Sequence, residues 1–85
     1  MNIHYHYKFL KEYQKLPNNI KELAKLREKI FKEDPFDKRL KTHKLHGNMS
    51  SFWTFSINLK HRIIFKFASK DIVDFYYVGD HDIYE

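Results

Sequence analysis

The sequence contains no cysteine, which excludes disulfide bridges and cysteine-based zinc sites. It also has no apolar run near the roughly 20 residues that a membrane span requires. The N-terminus lacks the apolar core of a signal peptide. These absences predict a cytoplasmic protein without a membrane partner.

Acidic residues are absent from one long stretch of the chain. Residues 38–70 contain eight Lys or Arg and no Asp or Glu, whereas residues 1–37 contain eight basic and six acidic residues. Residues 71–85 contain five acids and no Lys or Arg. A stretch without carboxylates, with aromatic residues among its charges, indicates a surface for a polyanion, with nucleic acid the first candidate. The alternative is a basic face that contacts only solvent.

The length predicts a single domain over residues 1–85. A chain of this size buries only roughly 60–65% of the surface that its unfolded form exposes, so it needs a dense core or a partner. Eight Phe, six Tyr and one Trp provide large apolar area for such a core.

The first half of the sequence predicts a strand followed by two helices. Residues 3–7 alternate between apolar or aromatic residues and histidine, which is typical of a short strand. Apolar residues then recur at helical spacing up to Pro17, and again from Ile20 to Phe31. Asn18 or Asn19 could cap the second helix, with Glu22 completing a capping box. The Asp34-Pro35 pair should end it.

The second half changes to the two-residue period of strands. Residues 53–60, 62–67 and 73–77 each alternate between an apolar and a polar face, and a weaker strand is predicted over residues 40–45. Short connections favour antiparallel pairing. The predicted fold class is therefore α+β, with an N-terminal strand and an αα-hairpin packed on an antiparallel sheet of three to four further strands.

Three motifs in this order resemble those of RelE/ParE-type toxins. The first runs from Asp34-Pro35-Phe36-Asp37 to the basic, leucine and histidine pattern that ends at Gly47. The second combines Phe52–Ile57 with His61–Phe65, which are similar to the paired central strands of that family. The third, residues 78–84, is similar to its C-terminal ending of glycine, histidine and tyrosine.

The resemblance implies the toxin of a type II toxin–antitoxin pair, with a RelE-like fold. Many such toxins cut messenger RNA on the ribosome, whereas the ParE branch inhibits DNA gyrase without catalysis. The implied partners are a cognate antitoxin, in a possible hetero-oligomer, together with the ribosome and mRNA. No cofactor is implied. A fold retained for RNA or protein binding alone is a third alternative.

Cleavage of RNA by its own 2′-OH without a metal requires a base, a cation for the phosphate and an acid for the leaving 5′-oxygen. Arg62 lies on the polar face of its strand, and a guanidinium binds phosphate in a bidentate fork. A histidine can transfer protons near neutral pH. The predicted catalytic residues, which the resemblance also supports, are His43, Arg62, His81 and Tyr84.

The remaining site predictions concern RNA binding and the other histidines. The predicted substrate-binding residues are Lys41, Lys44, Lys60 and Lys66. His46 and His61 are alternative proton-transfer residues, and Asp82 could orient His81. We expect His4 and His6 to be structural or exposed to solvent. The pair His4 and His6, two residues apart, is only weak evidence for a zinc site, because no third ligand stands out beside it.

Overall fold

The computed structural model describes residues 1–80. The predicted site residues His81 and Tyr84, together with Asp82, lie outside them. The described part forms β1 (Asn2–Tyr5), α1 (Tyr7–Gln14), α2 (Asn18–Glu33), β2 (His43–Lys44), β3 (Trp53–Ser56), β4 (His61–Phe67) and β5 (Ile72–Asp80), with 3₁₀ turns at Lys38–Leu40 and Gly47–Met49.

The five strands form one sheet in the order β1-β5-β4-β3-β2. Strands β2 to β5 pair antiparallel, as predicted. Strand β1 joins the edge of the sheet parallel to β5, with Asn2 opposite Ile72. The sheet is therefore mixed, a feature that the alternation within single strands cannot predict.

The two helices begin and end close to the predicted positions, but their caps differ. The His6 Nδ1 atom accepts a hydrogen bond from the Lys8 backbone N–H at 3.3 Å and so caps α1. Pro17 is the N-cap of α2 and makes no side-chain bond. The predicted capping box is wrong, because Asn18 and Asn19 already belong to the helix.

Two of the predicted strands are shorter than expected. The stretch 40–45 pairs with the sheet only at His43–Lys44, because Leu40 ends a 3₁₀ turn and Lys41 is left-handed with φ 54°. Strand β3 ends at Ser56, where the chain turns toward β4. The Asn58 side chain orders this turn by accepting the backbone N–H groups of Lys60 at 2.9 Å and His61 at 2.7 Å.

The core lies between the helices and one face of the sheet. Phe31 of α2 is fully buried, and its ring centroid lies 4.8 Å from Phe55, 4.9 Å from Phe65 and 5.5 Å from Phe75. The Phe55 pair is stacked and the other two pairs are edge-to-face, which at these distances is the favourable geometry for aromatic pairs. The aromatic richness of the sequence is therefore concentrated where α2 meets the three central strands.

The opposite side, which we call the outer face of the sheet, carries the residues that alternate with this core. Opposite residues in an antiparallel pair share a face. Thr54 lies opposite His43 and Ile64, and Ser56 lies opposite Arg62. These five residues therefore project to the outer face. Thr54 and Ile64 are buried there, so the face is partly covered by the chain itself.

Replacing Phe31 with alanine should lower the free energy of unfolding by about 3–5 kcal/mol, because a fully buried ring is lost from between three others. Urea denaturation measures the change. Phe36→Ala is the matched control, since that ring is 55% exposed, and its effect should be clearly smaller. Equal losses for both variants would contradict the position of Phe31 at the centre of the core.

The His61 side chain should make stability depend on pH. Partial burial is the main cause that lowers the pKa of His61 below 6.5, and the positive charge of Lys60 is the second. Between the folded-state pKa and about pH 6.5, the unfolded chain therefore binds more protons at His61 than the folded protein does. The stabilising contribution is complete above about pH 6.5 and is lost as the pH falls through the folded-state pKa. Denaturation midpoints between pH 5 and 8 should show this slope. His61→Gln should reduce it, and an unchanged slope would contradict the assignment.

Candidate nucleic-acid interface

A cleft of about 260 Å³ lies where the β3–β4 turn meets the chain that follows α2. We call it the basic cleft because four of its lining residues are cations: Arg27, Arg39, Lys41 and Arg62. The rest of its wall is formed by Ser56, Ile57, Asn58 and Leu59. Among residues 1–80 no carboxylate lines it, so this part of the surface attracts anions such as phosphate.

Three separate segments bring these cations together. Arg27 projects from α2, and its Nη1 atom donates to the backbone carbonyl of Arg39 at 3.3 Å. Arg39 is held by Asp37 in a two-point contact, with Nε–Oδ1 at 3.0 Å and Nη2–Oδ2 at 2.9 Å. The side-chain hydrogen bond from Arg39 lowers the pKa of Asp37 to about 2. Asp37 is therefore ionised at neutral pH and offsets part of the Arg39 charge.

Arg62 is half-buried on the outer face, the polar face of its strand. Its Nη1 atom donates to the carbonyl of Asn58, and to that of His61 at 3.2 Å. Among residues 1–80 it has no carboxylate partner. The turn therefore fixes one edge of the guanidinium, and the remaining N–H groups can bind phosphate.

His43 shares the outer face with Arg62, on the other side of β3. Strand spacing places the two backbones roughly 12 Å apart. The His43 Nδ1 atom lies 2.9 Å from the carbonyl oxygen of Lys41. A carbonyl only accepts, so Nδ1 carries the proton in this bond and Nε2 is left as an acceptor. That tautomer suits a proton-abstracting role, and the ring is exposed.

The other predicted lysines are not gathered around Arg62. Lys41 lines the basic cleft, but Lys44 lines a separate recess with His43. The Lys60 Nζ atom lies 3.7 Å from a carboxylate oxygen of Asp80. The Lys66 Nζ atom lies 5.4 Å from the centre of the Phe52 ring. Of the four predicted substrate-binding residues, Lys41 is therefore the one that lines the basic cleft with Arg62.

The remaining histidines occupy different settings. His61 is half-buried, with its Nδ1 atom 3.2 Å from the Asn58 Oδ1 atom, and His46 is exposed beside the His43 recess. His4 pairs with Asp74 at 3.3 Å, while His6 caps α1. Within residues 1–80, no group of three or more His, Asp or Glu side chains could hold a metal ion.

Sequence reasoning did not single out Arg27 and Arg39. Arg27 belongs to a helix far from the acid-free stretch, although its position four residues after Leu23 and three before Ile30 places it near the apolar stripe. Arg39 lies within that stretch, but its place in a 3₁₀ turn was not predicted.

No described helix is long and apolar enough to cross a membrane.

One curated relative supports a likeness in sequence. Toxin YoeB from Synechocystis is 36% identical over 45 residues, which cover 53% of this chain and 52% of that protein. The match therefore spans about half the length of the relative. No protein-family model matches the sequence.

Solved structures extend the likeness to nearly the whole fold. A YoeB/ParE toxin from Agrobacterium tumefaciens superposes with a TM-score of 0.79 at 20% identity, over 95% of this chain and 99% of that one. The YoeB–YefM toxin–antitoxin complex from Staphylococcus aureus gives 0.76 at 16% identity, over 95% and 97%. The resemblance seen in the motifs is confirmed: this chain has the fold of the RelE/ParE toxin superfamily, in which its sequence relative and these structural neighbours fall.

Proposed function

We propose that this protein is the toxin of a toxin–antitoxin pair and cleaves messenger RNA on the ribosome. The observation that carries the proposal is the basic cleft, in which Arg62 lies with three further cations and with no lining carboxylate from residues 1–80. A phosphate of the RNA backbone would be held there by the free edge of the guanidinium. The cytoplasm is the expected location.

In this mechanism the RNA supplies its own nucleophile. A base removes the proton of the 2′-OH, the oxygen attacks the adjacent phosphorus, and an acid protonates the departing 5′-oxygen. His43 supports the first step, because it lies on the outer face that also carries Arg62 and its neutral ring, when it donates from Nδ1 to Lys41, offers Nε2 as the acceptor. We propose His81 as the acid and Tyr84 as an assisting residue, on the resemblance alone.

The partner proposal rests on relatives. A toxin–antitoxin complex of Staphylococcus aureus is among the structural neighbours. An antitoxin that neutralises this chain would be expected to cover the basic cleft, since acidic groups are the natural complement of four cations. The hetero-oligomer of toxin and antitoxin is part of the same proposal.

Inhibition of DNA gyrase is the second candidate, because one structural neighbour carries the combined name YoeB/ParE. The two functions leave different products in a cell that expresses the protein. Mapping of transcript ends would detect mRNA cleavage. Gyrase-dependent DNA breaks, with intact transcripts, would replace the proposed function by the second.

Arg62→Ala should lower the rate of mRNA cleavage on ribosomes by about 10²–10³-fold, because the phosphate loses its charged donor in the transition state. Lys70→Ala is the matched control: it removes one positive charge from the same acid-free stretch, at an exposed position outside the basic cleft. Its rate should stay near that of the wild type. Because Arg62 also bonds the β3–β4 turn, circular dichroism and thermal unfolding must accompany the assay. Full activity in a folded Arg62→Ala protein would rule out the phosphate role.

Cleavage should be efficient only on the ribosome. The basic cleft supplies charge for the phosphate, and binding to ribosomal RNA can supply the energy that orients the message for attack. One transcript is compared in free solution and in a stalled translation complex with purified protein. Association should weaken steeply with salt, because the contacts neutralise phosphates. Equal rates in the two settings would instead identify a free ribonuclease.

A further inference from the structure

A second recess, of about 210 Å³, lies on the outer face of the sheet beside Ile64. We call it the aromatic groove. It is lined by Lys8, Met49, Phe52, Ile64, Tyr76 and Tyr77. Its walls are mostly apolar rings and side chains, and Lys8 is the one charged residue that the described part of the chain contributes to them. Its volume lies below the about 300 Å³ at which pockets for drug-sized molecules begin. Such a space suits one flat ring system.

A β-bulge places both tyrosines in the aromatic groove. Ile64 lies opposite Tyr77 and Phe65 lies opposite Phe75, so Tyr76 is an extra residue in β5. Phe75 remains in the core, and the two residues after it both turn to the outer face. Bulges often re-aim side chains beside functional sites, and here the bulge doubles the number of rings that reach the groove.

Neighbouring side chains hold these rings in place. The His6 ring stacks on Tyr76, with centroids 4.8 Å apart and planes at 18°. Phe52 meets Tyr76 edge-on at 5.1 Å and 88°. The ammonium group of Lys66 lies 5.4 Å from the Phe52 ring centre, a cation–π contact. The groove is therefore a preformed aromatic surface with cations on two sides.

The aromatic groove adjoins the basic cleft along β4. Arg62, Ile64 and Lys66 alternate on the outer face of this strand, so Ile64 lies between two cations. Successive members of the series are about 7 Å apart. This is comparable to the length of one nucleotide in an extended strand. A phosphate at Arg62 would therefore bring the next base over Ile64.

We propose that the aromatic groove binds one unstacked nucleobase of the RNA substrate, next to the phosphate held by Arg62. The inference rests on the proposed function and extends it from the cut bond to the neighbouring base. Proteins recognise single-stranded RNA by stacking splayed bases on aromatic rings beside basic groups, which is the chemistry that Phe52, Tyr76, Tyr77 and Lys66 provide.

The test uses two trinucleotides that are 2′-O-methylated, so that neither can be cut. One carries 2-aminopurine at its centre and abasic sugars on both sides, and the other is abasic throughout. Wild-type protein should quench the 2-aminopurine emission and bind the base-bearing trinucleotide about tenfold more tightly in competition at low salt. Equal affinity for the two would overturn the proposal without any variant.

Variants then locate the base. Phe52→Leu and Tyr76→Leu remove rings from different segments, and each should abolish most of the tenfold preference while leaving binding of the abasic trinucleotide unchanged. Phe36→Leu, an exposed ring outside the groove, is the matched control and should keep the preference. Circular dichroism confirms folding. A preference that survives in both folded groove variants would place the base elsewhere and refute the groove.

The result separates this proposal from the one on which it rests. Wild-type protein that cleaves mRNA on the ribosome but binds both trinucleotides equally would refute the groove and leave the proposed function standing. Wild-type protein that prefers the base-bearing trinucleotide but cuts no mRNA would refute cleavage and leave the base site standing. Arg62→Ala should weaken both trinucleotides alike, since it removes a phosphate contact.

Discussion

The packing of Phe31 against Phe55, Phe65 and Phe75 is the interaction on which the other features depend. It holds α2 against one face of the sheet, and that face is therefore buried in the core. In a strand, alternate residues then have to project to the other side. Because helices occupy only one face, the opposite one can present polar and charged side chains. The position of Arg62 is thus a consequence of the burial of Ile63.

Much of this arrangement could be read from the sequence, because it depends on local periodicity. The helical stripes and the two-residue alternation predicted both helices, the order of elements and the polar face of β4. Two features depended on contacts between separate strands and could not be obtained in this way. They are the parallel pairing of β1 and the bulge at Tyr76.

The candidate site likewise combines residues that local patterns could predict with residues that only contacts between segments bring together. Two cations of the acid-free stretch that were predicted as site residues, Arg62 and Lys41, lie together in the basic cleft. Composition does not encode which cations meet, so Arg27 was not singled out, and Lys44 and Lys60 lie outside the basic cleft. The loop after α2 accounts for this, because it folds back on the helix and places Arg39 against Arg27. The two-residue strand of His43 keeps the register of β3, which places His43 on the same face as Arg62.

The parallel pairing of β1 with β5 has a consequence for the order in which the protein can fold. Asn2 pairs with Ile72, 70 positions along the chain, so the sheet cannot close until nearly all of the described sequence has been synthesised. Contacts of such long range form late, after the local helices and hairpins. The aromatic groove is affected directly, since its wall combines Lys8 with Tyr76. A nascent chain that still lacks β5 therefore has neither the completed sheet nor that wall, and the outer face is assembled among the last parts of the molecule.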